Sequence, residues 1–400
     1  MNVIIVNDYA YVNGGAGEIA FYTGKMLAKR GHNVVIFTAV GPIDKSLQSI
    51  SNFRIVCLEQ YDVLNNPNRF GAILQGLWNL KAAKVFCKLL ESLSPSDTVI
   101  HVHSLQKAIS TSILPVTRKR GFKVLYHYHD YGSVCPNLGL FNHQKQIICK
   151  YKPMSLACIL CNCDSRCYLH KIWRVLRQFV QINFGGLPGK IDGGVFVSDF
   201  SKKILDRYVD KGRMIPNPVN IADRYKVAAS ANEHVLYIGR LSPEKNPVML
   251  AKAARELNVP VVFIGSGICQ ADIQKENPLA ICTGWLSKGD MLSYIVKARY
   301  LVLPSLLYET QGLVAAEVLA YGIPVIVSDS CAATEFISDF YNGLLFSNGD
   351  LESLKKAMVK MRDDSFVAKL SDNAYNAFKS TNEEYIADIE KYYEDLLAIK

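Results

Sequence analysis

Short apolar runs alternate with amphipathic stretches along the chain. In the first half the runs are NVIIVN, NVVIFT, FRIVCL, TVIHVHS, KVLYHYHD and GGVFVS, with helical periodicity around 17–30, 70–93, 105–119 and 199–208. VLYIG, VPVVFIG, LAICTG, RYLVLPS and PVIVSD continue the alternation in the second half. Strands buried in a parallel sheet give such continuous runs, and the helices between them cover its faces. The pattern predicts two doubly wound α/β domains.

The domain boundaries follow from the interruptions of this pattern. Two prolines in MIPNPVN, residues 214–220, mark the end of the first domain, and a polar stretch without period follows. We predict a first domain over 1–220 with a cysteine-rich insertion at 135–167, and a second over 221–380. An amphipathic helix over 381–400 is expected to cross back to the first domain. The apolar runs are too short for a membrane-spanning helix, and MNVIIVND predicts a strand rather than a signal peptide.

Positive charge is concentrated in the first half. Residues 1–200 hold 22 Lys and Arg against 11 Asp and Glu, whereas residues 201–400 hold 23 against 25. An anionic membrane surface or a phosphorylated substrate would explain this field, and an ordinary basic surface remains an alternative. No signature of a nucleic-acid-binding module is present, so we expect no nucleic-acid partner.

The segment from Pro304 to Asp329 carries the most specific chemistry. It reads loop, helix and buried strand, and Gly312 opens the helix. The N–H groups at Gly312, Leu313 and Val314 would face an anion at the carboxyl edge of a parallel sheet. Glu309 and Glu317 on either side would repel phosphate alone, but they suit a ligand that also offers hydroxyl groups. A nucleotide-sugar has both.

This segment resembles the donor-binding signature of the retaining glycosyltransferases of family four, which have the GT-B fold. The resemblance implies two Rossmann-like domains that face each other across a cleft, with the acceptor on the first. It implies that Glu309 lies beside the donor sugar and that Glu317 accepts from the ribose hydroxyls. Gln311 departs from the family, which usually has an aromatic residue before the glycine, and this affects donor-sugar preference.

Two further segments carry the same resemblance. VLYIGRLSPEKNP, residues 235–247, places Arg240 and Lys245 after a strand, and in the family these cations contact the diphosphate. Fixed cations stabilise the charge of the leaving group without a metal ion, so no catalytic metal is expected. Near the start, Gly14 and Gly15 follow the first strand, and the family loop faces the donor phosphates. A glycine-rich turn alone is weak evidence, and an ordinary βαβ turn is the alternative.

Two histidines follow predicted strands of the first domain. His129 with Asp130 matches a His-Asp pair of the family and would hydrogen-bond the sugar or the acceptor hydroxyl, in either charge state. His103 follows the preceding strand, and packing at a strand end explains it equally well. We therefore assign the functional role to His129.

Six of the eleven cysteines lie between Cys135 and Cys167. Cys158 and Cys161 have the spacing of metal ligands, so a structural zinc site in 135–167 is one interpretation. Free thiols in a reducing compartment are the other.

The segment 170–186 has the pattern of a helix in a membrane interface. Ile172, Val175, Leu176, Phe179 and Val180 share one face, and we expect Lys171, Arg174 and Arg177 to flank it and contact anionic lipid. A basic helix that packs on its own domain is the alternative.

The resemblance implies transfer of a sugar from a UDP- or GDP-sugar to a glycan or lipid-linked glycan, as in bacterial capsule, O-antigen or exopolysaccharide assembly. No cofactor beyond the nucleotide-sugar is expected. A cytoplasmic enzyme, peripheral on the inner face of the plasma membrane, fits this chemistry. A nucleotide-sugar epimerase on the same fold and a non-catalytic nucleotide-sugar-binding subunit remain alternatives.

Overall fold

The computed structural model describes residues 1–44, 50–219, 221 and 224–399. The chain divides into two compact units. Unit 1 comprises Met1–Gly139, Tyr151–Asn217 and the residues from Glu383 onward, and unit 2 comprises Leu140–Lys150 and Pro218–Asn382. The predicted domains differ from this division at Leu140–Lys150, which lies inside the insertion assigned to the first domain. The sequence predicts a boundary between residues 220 and 221, and the two units divide between Asn217 and Pro218. Residues 220, 222 and 223 lie outside the described residues.

Unit 1 is built on a seven-stranded parallel sheet in the order β3-β2-β1-β4-β5-β8-β9. Its strands, numbered with the rest of the chain, are β1 (Asn2–Val6), β2 (Asn33–Thr38), β3 (Phe53–Cys57), β4 (Thr98–Val102), β5 (Lys123–Tyr128), β8 (Gly193–Phe196) and β9 (Arg213–Met214). The central strands are almost fully buried, which explains their continuous apolar sequences.

The helices of the unit are α1 (Gly15–Lys29), α2 (Arg69–Leu77), α3 (Leu80–Leu90), α4 (Ile113–Lys119), α5 (Leu156–Leu160), α6 (Tyr168–Val180), α7 (Asp199–Leu205) and α14 (Asn382–Ala398). The single helix predicted over 70–93 is two helices. Asn79 caps the second of them, because its side chain accepts from the amide of Ala82 at 3.0 Å. The extended Trp78 ends α2, and the amide side chain of Asn79 starts α3 directly after it.

Unit 2 contains a six-stranded parallel sheet in the order β12-β11-β10-β13-β14-β15. Its strands are β10 (His234–Ile238), β11 (Val261–Ile264), β12 (Ile281–Gly284), β13 (Ala298–Leu303), β14 (Val325–Ser328) and β15 (Gly343–Phe346). The helices are α8 (Pro247–Glu256), α9 (Gln270–Glu276), α10 (Lys288–Ile295), α11 (Leu313–Leu319), α12 (Leu351–Lys360) and α13 (Asp364–Ala377). Both sheets are of the Rossmann type, as the sequence predicts.

A short antiparallel hairpin belongs to unit 2 although its sequence lies within the first half of the chain. It pairs β6 (Phe141–Asn142) with β7 (Ile147–Ile148). Conversely, α14 follows the whole of unit 2 in sequence and packs on unit 1. Its Tyr385 hydroxyl lies 2.6 Å from Thr23 Oγ1, and its Tyr393 hydroxyl lies 2.6 Å from Nδ1 of His101.

Helix α6 shows that one prediction is wrong. The apolar side of the predicted amphipathic helix is exposed, as expected, but its cations do not flank that side at the surface. Lys171 and Arg177 are buried, and Arg174 Nε lies 2.6 Å from the buried carboxylate of Asp164. The polar side of the helix therefore faces the interior of unit 1. In the described part of the chain, no helix has the length and apolar character needed to cross a membrane.

Candidate active site

The strand order of unit 2 creates one position where consecutive loops leave the sheet in opposite directions. β10 and β13 are neighbours, while the strands that follow each in sequence lie on opposite sides of the pair. Ligands of open α/β sheets bind at the carboxyl ends of strands at such a switch point. The loop after β10 carries Arg240 and Lys245, and the loop after β13 carries Glu309. The topology thus brings the three predicted charged residues to one edge.

An ion pair joins the two loops. Lys245 Nζ lies 2.8 Å from Glu309 Oε1, and the hydroxyl of Ser305 donates to the same oxygen. Burial raises the pKa of Glu309, but Lys245, Ser305 and the more distant Arg240 outweigh it and hold that pKa below the ordinary value. Glu309 is therefore ionised at neutral pH, and Lys245 is fixed by its partner.

Glu244 is a central residue of this site that the sequence analysis did not identify. It is buried, and its carboxylate accepts from Ser242 Oγ at 2.8 Å and lies 3.6 Å from Nη2 of Arg240. Its carbonyl oxygen also accepts from the amide of Leu306 at 2.9 Å, which links the two loops through the backbone. The sequence offered one signal for Glu244, namely its position as an acidic residue between the two cations of RLSPEK. The Arg240 side chain itself is 70% exposed and so is accessible to a ligand.

The predicted helix start at Gly312 is present. Gly312 precedes α11 with φ 72° and ψ 47°, a left-handed conformation that glycine adopts without strain. A Cβ atom there would lie 2.7 Å from that of Ala333, so the position excludes side chains on packing grounds as well. Leu313 and Val314 form the first turn of α11, Glu317 lies half-buried in the same helix, and Gln311 is buried before it.

The hairpin places a further residue beside the cation loop. His143, between β6 and β7, has Nδ1 3.9 Å from Oε2 of Glu244. Sequence reasoning missed it because the residue lies about a hundred positions before the loop that it approaches. Only the structure assigns Leu140–Lys150 to unit 2.

An exposed aromatic residue lies at the same edge of the sheet. Trp285 follows β12 directly, and its side chain is 73% exposed. A flat aromatic face at a strand end suits stacking with a planar ring. The sequence signal, GW after an apolar run, is too common to be specific.

In unit 1 the predicted glycine loop also lies at a switch point, because β1 and β4 are neighbours. Gly14 has φ 98° and precedes α1, while Gly15 is the first residue of that helix. A Cβ atom at either glycine would meet nothing within 4 Å, so the loop leaves open space at the helix start. Asp8 holds the neighbouring loop after β4, since its carboxylate accepts from the amides of Lys107, Ala108 and Ile109 at 2.9 Å each.

His129 belongs to a stacked array of four imidazoles at the ends of β4 and β5. Its Nε2 lies 2.9 Å from Nδ1 of His103, and the rings of His127 and His129 stack at 4.1 Å. His101 and His127 make the second pair, with nitrogens 3.2 Å apart. Burial lowers the pKa of His129 to about 3. The expectation that this ring works in either charge state is therefore wrong: it is neutral at physiological pH.

The histidine array is also where ring nitrogens are close enough to hold a metal ion. In the described residues, ligand atoms of His101, His103 and His127 lie within 4.8 Å of one another. The outer nitrogens of His101 and His127, however, already contact the hydroxyl of Tyr393 and, at 3.0 Å, the amide oxygen of Asn217, whereas Nε2 of His103 is buried and has no hydrogen-bond partner among the described residues. These bonds fit a structural array of neutral rings.

The cysteines of 135–167 form no comparable group among the residues that the structure describes. Instead, the ammonium of Lys171 lies 3.6 Å from Sγ of Cys158. Burial lowers the pKa of Lys171, but the sulfurs of Cys163 and Cys158 outweigh it and raise that pKa above the ordinary value. An ammonium among the thiols opposes a second cation, which argues against the zinc site suggested by the sequence.

The arrangement in unit 2 suits a particular class of ligand. Arg240 and Lys245 offer positive charge to an anion, and Glu309 and Glu317 offer acceptors to hydroxyl groups. Fixed charges held by their own partners need little reorganisation when charge develops during a reaction. The site therefore suits a ligand that combines phosphate with a polyol and leaves as an anion.

Comparison with known proteins agrees with this chemistry. Residues 222–380 match the family described as glycosyl transferases group 1. A GDP-mannose-dependent alpha-mannosyltransferase of Mycobacterium tuberculosis is 32% identical over 146 residues, covering 36% of this chain and 38% of that protein. The GalNAc-alpha-(1->4)-GalNAc-alpha-(1->3)-diNAcBac-PP-undecaprenol alpha-1,4-N-acetyl-D-galactosaminyltransferase of Campylobacter jejuni is 29% identical over 230 residues, covering 54% and 62%. The matches thus span less than two thirds of these relatives.

Solved structures match over the full length. Sucrose-phosphate synthase of Thermosynechococcus elongatus superimposes with a TM-score of 0.72 at 19% identity, covering 100% of both chains. HepE of Anabaena, solved in complex with UDP-glucose, gives a TM-score of 0.67 at 16% identity over 99% of this chain and 100% of that one. At such identities the likeness establishes the fold.

Proposed function

We propose that this chain, whose residues 222–380 match the group 1 glycosyltransferases and which has the GT-B fold, transfers a sugar from a nucleotide-sugar to a saccharide acceptor with retention of anomeric configuration. The observation that carries the proposal is the pair of strand-end loops joined by Lys245 and Glu309, with Arg240 exposed beside them. Both loops lie within the residues that match the family.

The proposed roles follow from charge and position. Arg240 and Lys245 bind the diphosphate and stabilise its charge as the bond between the sugar and phosphate breaks. Glu309 contacts the donor sugar, the amides at the start of α11 approach phosphate, and Glu317 accepts from the ribose. The acceptor hydroxyl attacks on the face that the diphosphate leaves, and the departing diphosphate takes its proton.

The unit 1 residues complete the proposal. Gly14 and Gly15 bound open space at a helix start, where a phosphate is accommodated. His129, as a neutral ring, donates or accepts one hydrogen bond to a sugar or acceptor hydroxyl and carries no charge into the reaction.

For the acceptor, we propose a lipid-linked saccharide of bacterial surface-polysaccharide assembly. The Campylobacter relative is named for a substrate linked through diphosphate to undecaprenol. The excess of 13 Lys and Arg over 4 Asp and Glu in residues 101–200 would favour such a phosphorylated acceptor. Because nucleotide-sugars are cytoplasmic, we place the reaction at the inner face of the plasma membrane.

A thermal-shift screen of UDP- and GDP-sugars tests the donor site. A donor at a hundred times its dissociation constant adds roughly 2.7 kcal/mol to the free energy of unfolding. The stabilising donor is then incubated with and without saccharide acceptors. Transfer that requires an acceptor supports the proposal, whereas conversion of the donor alone indicates an epimerase. Binding without either reaction indicates a non-catalytic subunit.

A further inference from the structure

Helix α6 is held on unit 1 by its polar side. Arg174 pairs with Asp164 at 2.6 Å, and Nη2 of Arg177 donates to the carbonyl of Pro136 at 3.1 Å. Gln178 donates to the carbonyl of Ser133 at 2.9 Å. One ion pair and two hydrogen bonds to backbone carbonyls therefore fix the orientation of the helix.

The opposite side of the helix is apolar and faces water. Leu169, Ile172, Leu176 and Phe179 are spaced by three or four residues and so form one stripe. Leu169 is 75% exposed and Phe179 is 50% exposed. A surface helix ordinarily turns such a stripe to the core, so the reversal leaves apolar surface that water solvates poorly.

Neighbouring elements extend this surface. α2 packs directly against α6, since a Cβ atom on Gly76 would lie 2.6 Å from the Trp173 ring. The hydroxyl of Tyr168 donates to a carbonyl of α5 at 3.3 Å, which places α5 beside the start of α6. We call the combined surface the apolar face; beyond the α6 stripe, its exposed side chains are Phe70, Leu74, Leu156, Leu160 and Phe184.

The charge around the apolar face is one-sided. The elements that build it are α2 and the stretch from α5 to Phe184, residues 69–77 and 156–184, and they contain a single acidic residue, Asp164, which is buried. Exposed cations within these stretches or close to them in sequence include Arg69, Lys152, Arg166 and Lys190. The surface therefore combines apolar side chains with positive charge and presents no exposed carboxylate within these described stretches.

We propose that the apolar face is a docking surface for an anionic lipid bilayer. The stripe enters the boundary between headgroups and acyl chains, and the exposed cations contact the headgroups. A second copy of this face is a poor occupant, because a symmetric contact would bring the same cations together. Tyr168 and Trp173 suit the interface because each combines an apolar ring with a polar group.

This inference goes beyond the proposed transferase function, because binding to lipid needs neither donor nor acceptor. It also changes the expected driving force. Burial of apolar side chains anchors the protein, and the electrostatic attraction is secondary. Salt therefore weakens binding without abolishing it.

The test is flotation of the full chain with vesicles of phosphatidylcholine containing about 30% phosphatidylglycerol. The variant Ile172→Gln/Leu176→Gln/Phe179→Gln changes exposed side chains, so the fold is retained. We expect its partition coefficient to fall at least roughly tenfold, because the apolar stripe is lost. At about 0.5 M salt the parent should still float.

The matched control is Ile268→Gln/Leu279→Gln, which removes two strongly exposed apolar side chains from unit 2. This control variant should float with the vesicles as the parent does. Its donor-induced thermal shift should also equal that of the parent. The proposal fails if the parent does not bind these vesicles or if the triple variant binds as well as the parent. A third result also contradicts the proposal: the parent forms a dimer or a protein complex, the triple variant does not, and neither protein binds lipid. The apolar face would then be a protein interface.

Discussion

Lys245 and Glu309 depend on each other, because each is largely buried and each supplies the other's counter-charge. We predict that Lys245→Met lowers the free energy of unfolding by about 1–3 kcal/mol at pH 7, since it leaves a carboxylate without its ammonium. Lys275→Met, at an exposed lysine of the same unit, should change it little. Urea unfolding of both variants and the parent measures these differences.

The pH dependence of that effect has a definite sign. The pKa of Glu309 is lowered from its ordinary 4.5, so the pair stabilises the fold above that pH and loses its effect as the pH falls through the lowered pKa. The difference between parent and Lys245→Met should therefore shrink below about pH 4.5. A difference that stays constant down to pH 3 would show that the lysine acts by packing alone.

Glu309 and Glu317 should separate in their effects on ligands. Glu317→Ala should weaken nucleoside diphosphate and complete donor alike by roughly tenfold, because its proposed partner is the ribose. Glu309→Ala should lower turnover while nucleoside diphosphate affinity stays near that of the parent. Calorimetric titration of both ligands distinguishes the two. Equal losses of nucleoside diphosphate affinity would contradict this division.

Among the elements, β4 and β5 carry the histidine array into the interior of unit 1. His101 and His129 have pKa values lowered to about 3, with burial as the main cause, against an ordinary value of 6.5. The folded rings stay neutral where the unfolded rings take up protons, so stability is lost as the pH falls below 6.5. At pH 5.5 this costs roughly 1.4 kcal/mol for each ring.

We therefore predict that unit 1 unfolds more readily at pH 5.5 than at pH 7.5. His103→Gln removes one of the four rings, so it should reduce the slope of unfolding free energy against pH by about a quarter. The measurement is a series of denaturation curves between these pH values. An unchanged slope would mean that the rings take up protons in the folded state.

For helices and strands, the sequence predicts the type of each element well. It predicts poorly which side of a helix faces the interior. The continuous apolar runs identify the buried strands, and the resemblance to family four, together with positions after strands, singles out Glu309, Arg240 and Lys245. The inward side of α6 could not be predicted, because its ion pair with Asp164 and its bonds to the carbonyls of Ser133 and Pro136 come from residues distant in sequence. Amphipathic periodicity locates a stripe, but the partner of each side is a tertiary property.

For the whole molecule, the exchange of segments between units determines how each is stabilised. α14 buries six side chains on unit 1: Tyr385, Ile386, Ile389, Tyr392, Tyr393 and Leu396. We predict that deleting residues from 382 onward destabilises unit 1, because it exposes this surface and removes the Tyr393 bond to His101. Unit 2 should keep its stability.

We expect the two units to unfold in separate transitions, and calorimetry with and without nucleoside diphosphate assigns each transition to its unit. The ligand should raise the transition of unit 2 in the parent and in the truncated chain alike, since Arg240, Lys245, Glu309 and Glu317 all lie in unit 2. Loss of that ligand-dependent shift on truncation would show that α14 supports the donor site as well.

The return of α14 to unit 1 also sets an order of events during synthesis. The ribosome makes the strands of the first sheet early, yet the helix that covers His101 and Thr23 is made only after every strand of unit 2. Unit 2 can thus form its core before α14 is available to pack on the sheet of unit 1. Unit 1, whose strands are made first, therefore acquires α14 only after the strands of unit 2 have been made. Until then the residues of unit 1 that α14 covers stay exposed, and a chaperone can bind them.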